Sequence, residues 1–384
     1  MDIHALINIA AEISKDTVEA ERWQSDRDAL WVFKTMAALK ETKLTGLVVP
    51  RESGGLGQGL YALVRICEEL GKGYSSAGLC FGMHCVGSAV ISAKATRWQK
   101  ETYLEPIAEG KHITSLALSE QGSGAHFYFP QTSLLALSKD DFLINGNKTF
   151  VTNGSHADSY VVSTMAASEE ASPDQFSCIV IDAAVHGMHW GNRWEGLGMR
   201  GNSSRSLAIT NLKISSNQIL GEKGDQLWYI FNVVAPYFLM AMAGTYLGIA
   251  ETALLEAKTS LLKRTYSYNG TTLAQVSLLQ HRYGSLWARV ESTRRLIYNA
   301  AEQGDNNSPG ALCSLLAAKA EVAKTCVDVV NEVMTLVGGV GYQTNSLLAM
   351  LMRDARASHI MTPTTDILYT WLGRALLDQP ILSD

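Results

Sequence analysis

Apolar positions recur at helical spacing at both ends of the chain and at strand spacing between them. Leu6, Ala10 and Ile13 share one helical face, with Glu12, Lys15, Asp16 and Glu19 on the others, and the pattern resumes at Leu30, Phe33, Met36 and Ala37. A break rich in turn formers runs from Gly46 to Gly57, and helices are predicted again over Leu60–Leu70, Ala77–Ala93 and Trp98–Glu109. From about residue 113 to 222 the period changes. Short apolar segments (Ile113–Leu118, Thr132–Leu137, Asp141–Ile144, Tyr160–Thr164, Phe176–Ile181, Leu207–Leu212) alternate with stretches rich in Gly, Asn, Asp, Ser or Pro, which predicts an antiparallel all-β region. Asn145-Gly146 predicts a hairpin turn. Long helices return over Gln226–Leu262, Thr272–Gln303, Pro309–Val337 and Leu347–Asp378, and their two-sided apolar faces suit a packed bundle. The expectation is an α+β, mostly α chain: an N-terminal helical domain (1–112), a middle β-barrel (113–222) and a C-terminal four-helix bundle (223–384).

Composition narrows the function. The chain has 384 residues, a size that usually divides into two or three domains, and its 47% hydrophobic and 18% charged content is that of a globular protein. A net charge of −5 without a Lys/Arg run gives nucleic acid or an anionic membrane nothing to bind. The N-terminus shows no signal-peptide pattern and no apolar run reaches the roughly 18 residues that span a bilayer, so a cytoplasmic location is expected. Cys67, Cys80, Cys85, Cys178, Cys313 and Cys326 form no CxxC or CxxH pair; free thiols and no metal site are expected.

The stretch from Gly338 to Leu368 carries the densest signals. Gly338, Gly339 and Gly341 would let backbone amides approach a bulky or anionic ligand, and Thr364 stands where it could cap the last helix and leave free amides at its positive end. By themselves these residues read equally as an ordinary helix–turn–helix connection. His84, alone in an apolar run, reads as a hydrogen-bonded core residue.

Taken together, the motifs resemble those of the acyl-CoA dehydrogenase family of FAD flavoproteins. Gly338, Gly339, Gly341, Tyr342, Arg353, Asp354, Ala355 and Arg356 match its GGxGY turn and Arg-Asp-Ala-Arg helix end. Ala117 to Gly124 looks like a flavin-contacting loop, so the resemblance assigns Leu118 and Ser119 to the cofactor. Lys148 to Gly154 is similar to K-x-W-I-T-N-G, with Phe150 in the place of the stacking Trp and Thr152 matching the Thr near flavin N5. Arg264 matches an Arg that reaches the FAD pyrophosphate across a subunit boundary, and Gly338, Gly339, Thr364 and Asp366 complete the implied FAD set. Ala125 and His126 replace the Ser and Asp of the thioester loop and, with Arg200, are the implied substrate contacts.

The family's catalytic Glu is where the sequence departs. Its two known positions fall on Thr362 and Phe238, neither of which can take a proton from carbon unassisted. Asp366 and His84 are the substitutes to be weighed, with His126 and His359 as further outsiders. The resemblance implies an FAD-dependent oxidation of an acyl thioester on CoA or an acyl carrier protein. Electrons would leave to an electron-transfer flavoprotein or oxygen, with a flavin reductase the partner if reduced flavin has to be supplied, and the protein would be a homodimer or homotetramer. A flavin-dependent monooxygenase and a non-catalytic acyl-thioester binding protein are the alternatives.

Overall fold

A computed structural model describes residues 2–124, 126–166 and 176–382. The N-terminal region is helical: α1 Ile3–Ile13, α2 Glu19–Asp28, α3 Phe33–Glu41, α4 Leu60–Gly73, α5 Ser75–Ala93, and the short α6 Arg97–Gln99 and α7 Glu105–Ala108. The strands follow: β1 Thr114–Ala117, β2 Ser133–Ala136, β3 Asp141–Val151, β4 Ser159–Ala166, β5 Ser177–Asp182, β6 Met188–Trp190, β7 Arg205–Ser215 and β8 Ile219–Leu220. The C-terminal helices are α8 Gln226–Tyr229, α9 Ala235–Lys263, α10 Ser277–Asp305, α11 Ala311–Val337, α12 Leu347–Ile360 and α13 Thr365–Leu376.

The strands run in the order β6-β7-β3-β2-β4-β5-β8, with β1 joined to β4 off that path. β4 pairs in parallel with both β1 and β2, so the middle region is not wholly antiparallel as its short apolar segments suggested. Asn145-Gly146 forms no hairpin. β3 runs straight through these residues, and its register against β7 shifts between Ile144 and Gly146; the Asn145 Oδ1 accepts the Asn211 amide at 2.8 Å across that bulge.

Among the described residues two helices are long and apolar enough to cross a membrane by length and composition, Ser75–Ala93 and the continuous run Gln226–Lys263, against the expectation that no apolar run reaches that length. Both lie mostly buried in the protein, at 89% and 83% of their apolar windows, so the interior of the fold accounts for their composition. α9 is the spine of the molecule and lies against α4, α5, α10, α11 and α12. The contact with α4 is close because Gly248 faces it: a Cβ there would come within 2.5 Å of the Glu68 carbonyl oxygen.

His84 joins the helical and sheet regions. Its Nδ1 accepts the Thr114 amide at 3.1 Å at the start of β1, which leaves Nε2–H to donate to the Thr45 carbonyl at 2.9 Å. The ring is completely buried, and burial pushes its pKa down to about 4, so it is neutral.

Asp354 is a second junction, fully buried on α12. It accepts from the Ser75 hydroxyl at 2.5 Å at the head of α5 and from the Met199 amide at 2.7 Å in the β6–β7 connection. Burial raises its pKa to about 6 despite those two bonds. The connection can pass this close because Gly198 has no side chain; a Cβ there would meet the Arg353 carbonyl carbon at 2.5 Å.

Candidate functional site

Where the three regions meet there is a mostly apolar cavity of about 280 Å3. The ends of β1 and β3 supply Leu118, Ser119, Thr149, Phe150 and Thr152. α9 supplies Phe238, and the turn from α12 to α13 supplies Met361, Thr362 and Pro363. Among the described residues none of those lining the cavity carries an ionisable side chain.

The sheet wall is shaped by a second bulge. The register of β3 against β7 shifts again between Lys148 and Val151. The Thr149 amide turns instead to the Ser119 carbonyl, at 2.7 Å, and ties the two loops together. Phe150 is thrown outward with φ +54°, a left-handed conformation uncommon for an aromatic residue, and is 67% exposed at the cavity wall. Its ring meets Trp194 edge-on, with centroids 6.1 Å apart. Thr152 is buried; its hydroxyl lies 3.4 Å from that of Ser204, and its carbonyl accepts the Ser115 hydroxyl at 2.8 Å. Asn153 locks the strand end by bonding the Trp31 indole at 2.8 Å and the Cys80 carbonyl at 3.0 Å.

Behind this wall is an ion pair that neither loop advertised. Lys148 Nζ, wholly buried, donates to Glu120 Oε1 at 2.5 Å and to the Ser163 carbonyl at 2.7 Å. Glu120 also accepts from the Gln131 amide at 2.7 Å and from the Thr132 amide and hydroxyl at 3.2 and 2.8 Å. One carboxylate thus anchors both loops that supply the sheet wall. Burial lowers the Lys148 pKa, and the charge of Glu120 works against that shift.

The residues singled out in the sequence divide in two. Leu118, Ser119, Phe150, Thr152, Phe238 and Thr362 converge on the cavity. The others lie elsewhere. Arg264 donates to the Val337 carbonyl beside Gly338 and Gly339 and is exposed, as are Tyr268 and Tyr342. Thr364 caps α13 by accepting the Ile367 amide, and Asp366 is exposed two residues further on. Arg200 is no part of the lining; its guanidinium donates to the Asp26 and Arg27 carbonyls at the end of α2, at 2.5 and 3.3 Å, and to the Gly196 carbonyl. His84 does not line the cavity either, since both ring nitrogens are bonded in the core. His126 is exposed, with Nδ1 2.7 Å from the Tyr128 hydroxyl, and Ala125 lies outside the described residues. His359 pairs Nδ1 with the Thr365 hydroxyl at 3.1 Å. Among the described residues no cluster of His, Cys, Asp or Glu could hold a metal.

Comparison with known proteins identifies the class. The N-terminal, middle and C-terminal domains of acyl-CoA dehydrogenases match residues 3–111, 115–212 and 239–377 in turn. The chain therefore belongs to the acyl-CoA dehydrogenase family. It is similar to the cyclohex-1-ene-1-carbonyl-CoA dehydrogenase of Geobacter metallireducens, 29% identical over 97% of both chains. It is similar also to a short-chain-specific acyl-CoA dehydrogenase of Clostridium acetobutylicum, 26% identical over 93% of both. Its fold superposes on that of butyryl-CoA dehydrogenase from Megasphaera elsdenii with a TM-score of 0.92, at 23% identity and 98% coverage of each chain.

Proposed function

We propose that this protein is an FAD flavoprotein oxidising an acyl thioester, on CoA or an acyl carrier protein, between Cα and Cβ. The observation that carries the reading is the sheet wall: an aromatic ring bulged out of its strand in a left-handed conformation, with the Ser119 and Thr152 hydroxyls beside it. A planar heterocycle with a polar rim fits that wall, since the ring offers a face to stack on and the hydroxyls offer hydrogen bonds. Leu118, Ser119, Phe150 and Thr152 would hold the flavin end of FAD. Arg264, Gly338 and Gly339 would serve the nucleotide end of a partner subunit's cofactor in a homodimer or homotetramer. FAD, when bound, supplies the hydride acceptor.

The chain's own part is to bind and orient the acyl group and to exclude water. Phe238, Met361, Ile360 and Pro363 form apolar walls suited to that task. At the two family base positions Thr362 and Phe238 hold no carboxylate or imidazole, and the lining offers no substitute among the described residues. The α-proton therefore finds no carboxylate in this wall, which restricts the reaction to thioesters whose own groups accept it. The same lining favours a second reading, flavin-dependent oxygenation, for which no α-proton need be removed.

Anaerobic addition of acyl thioesters to the FAD-loaded protein separates the readings. Bleaching of the flavin absorbance supports dehydrogenation. No bleaching, together with oxygen uptake once reduced flavin is supplied, replaces it with oxygenation. A protein that takes up no FAD ends both.

A further inference from the structure

One buried amine gathers three carbonyls of the wall opposite the sheet, which the Tyr246 hydroxyl also touches at Met361 Sδ, at 3.2 Å. Lys319, on α11, has no exposed surface, and its Nζ lies 2.8 Å from the Ser358 carbonyl, 3.2 Å from that of Pro363 and 3.5 Å from that of Met361. The last carbonyls of a helix have no amide partner within it, and Pro363 has no N–H with which to continue the ladder. An ammonium has three N–H donors, one for each carbonyl, and a positive charge favoured by the carbonyl end of α12. Among the described residues no carboxylate pairs with Lys319, and burial alone pushes its amine down to about 7. A further tie is weaker: the Ser358 hydroxyl donates to the Ala323 carbonyl at 3.2 Å on the same α11.

We propose that Lys319 is a positioning residue for the site: by gathering the Ser358, Met361 and Pro363 carbonyls onto α11, it holds Met361, Thr362 and Pro363 in the cavity wall. An apolar side chain of similar length would fill the same space but leave two buried acceptors, at Ser358 and Pro363, and the half-buried one at Met361 without donors, and the turn would shift to reach water. What shifts is the cavity wall, so the consequence is read at the site and not in stability alone. The proposal rests on the cavity being the FAD site only for its second readout.

The test compares full-length wild type, Lys319→Met and Thr293→Val. Thr293 on α10 shares a buried 2.8 Å hydrogen bond with Thr325, away from the cavity, and its variant measures what plain loss of a buried bond does. In Lys319→Met, amide hydrogen exchange over residues 359–367 should quicken by about tenfold or more. Its FAD dissociation constant should rise by about tenfold or more, as expected when a preorganised wall is lost. Thr293→Val should lower the melting temperature without either change. If Lys319→Met does not fold, Lys319→Gln, which keeps two donors on a shorter arm, should show both changes in lesser degree. A Lys319 variant that melts earlier yet exchanges these amides at the wild-type rate and binds FAD within about twofold of wild type would overturn the proposal. If wild type itself takes up no FAD, the functional reading falls, and exchange at 359–367 still decides whether Lys319 sets the wall.

Discussion

Two lysines stand behind the two walls of the cavity, both without exposed surface, and they are held in opposite ways. Lys148, behind the sheet wall, is matched by the Glu120 carboxylate. Lys319, behind the helical wall, has only carbonyl dipoles, and its amine is pushed down to about 7. A matched pair keeps both charges and fixes both loops from one point. An unmatched ammonium fixes its turn only while it keeps its proton, so the helical wall is the softer of the two. On the function proposed above, the sheet side would hold the flavin ring and the turn would meet the acyl group, and the anchoring follows that division.

The largest effect should come from breaking the pair. Glu120→Ala strands a buried ammonium and should cost roughly 3–5 kcal/mol in denaturant unfolding; a loss below about 1 kcal/mol would show that the pair does not anchor the sheet wall.

The next test concerns His84, which pins the start of β1. The unfolded chain takes up this proton below pH 6.5 and the folded one only below about 4. The contribution is therefore present above pH 6.5, declines as pH falls and is gone by about 4. It is worth about 3 kcal/mol across that window. His156, also pushed down to about 4 by burial, and Asp354, pushed up to about 6, add slopes of their own. Only the difference between wild type and His84→Gln is diagnostic: the variant should lack one proton's worth of slope between pH 6.5 and 4. Parallel curves would mean that His84 is not neutral in the fold.

A third anchorage is the exposed one. Arg264→Ala should weaken FAD about tenfold, or about 1.4 kcal/mol, by equilibrium titration. Unchanged affinity would remove the cross-subunit end of the site. The smallest effect is expected at Thr362. If no group there takes a proton, Thr362→Ala should leave turnover within about twofold; a loss on the order of a thousand-fold would place a transition-state contact at this hydroxyl.

Much of this architecture was legible because it is written locally. Helical spacing marked α1, α4, α5 and the long C-terminal helices, and short apolar runs marked most of the strands. What failed was non-local. The parallel partners β1 and β4 pair Thr114 with Ser159, and no local pattern records whether such strands run together or opposed. Asn145-Gly146 has the composition of a turn, yet the bulge against β7 absorbs it. In the site, the six residues placed by the resemblance, Leu118, Ser119, Phe150, Thr152, Phe238 and Thr362, line one cavity, whereas Arg200, an implied substrate contact, clamps the end of α2. Glu120 and Lys148 sat inside the quoted loops unnoticed, since side chains 28 positions apart give no sign of meeting. Lys319 was missed for a similar reason: a lone lysine in Leu-Leu-Ala-Ala-Lys-Ala reads as a solvated side chain.

Asp354 has a bearing on how any ligand gets in. With the head of α5, the β6–β7 connection and α12 all meeting at this one carboxyl, the three lobes cannot swing apart without tearing the bonds from Ser75 and Met199. Admission then belongs to the side chains of the lining that stand in solvent, Phe150 and Ile360, while the frame keeps still.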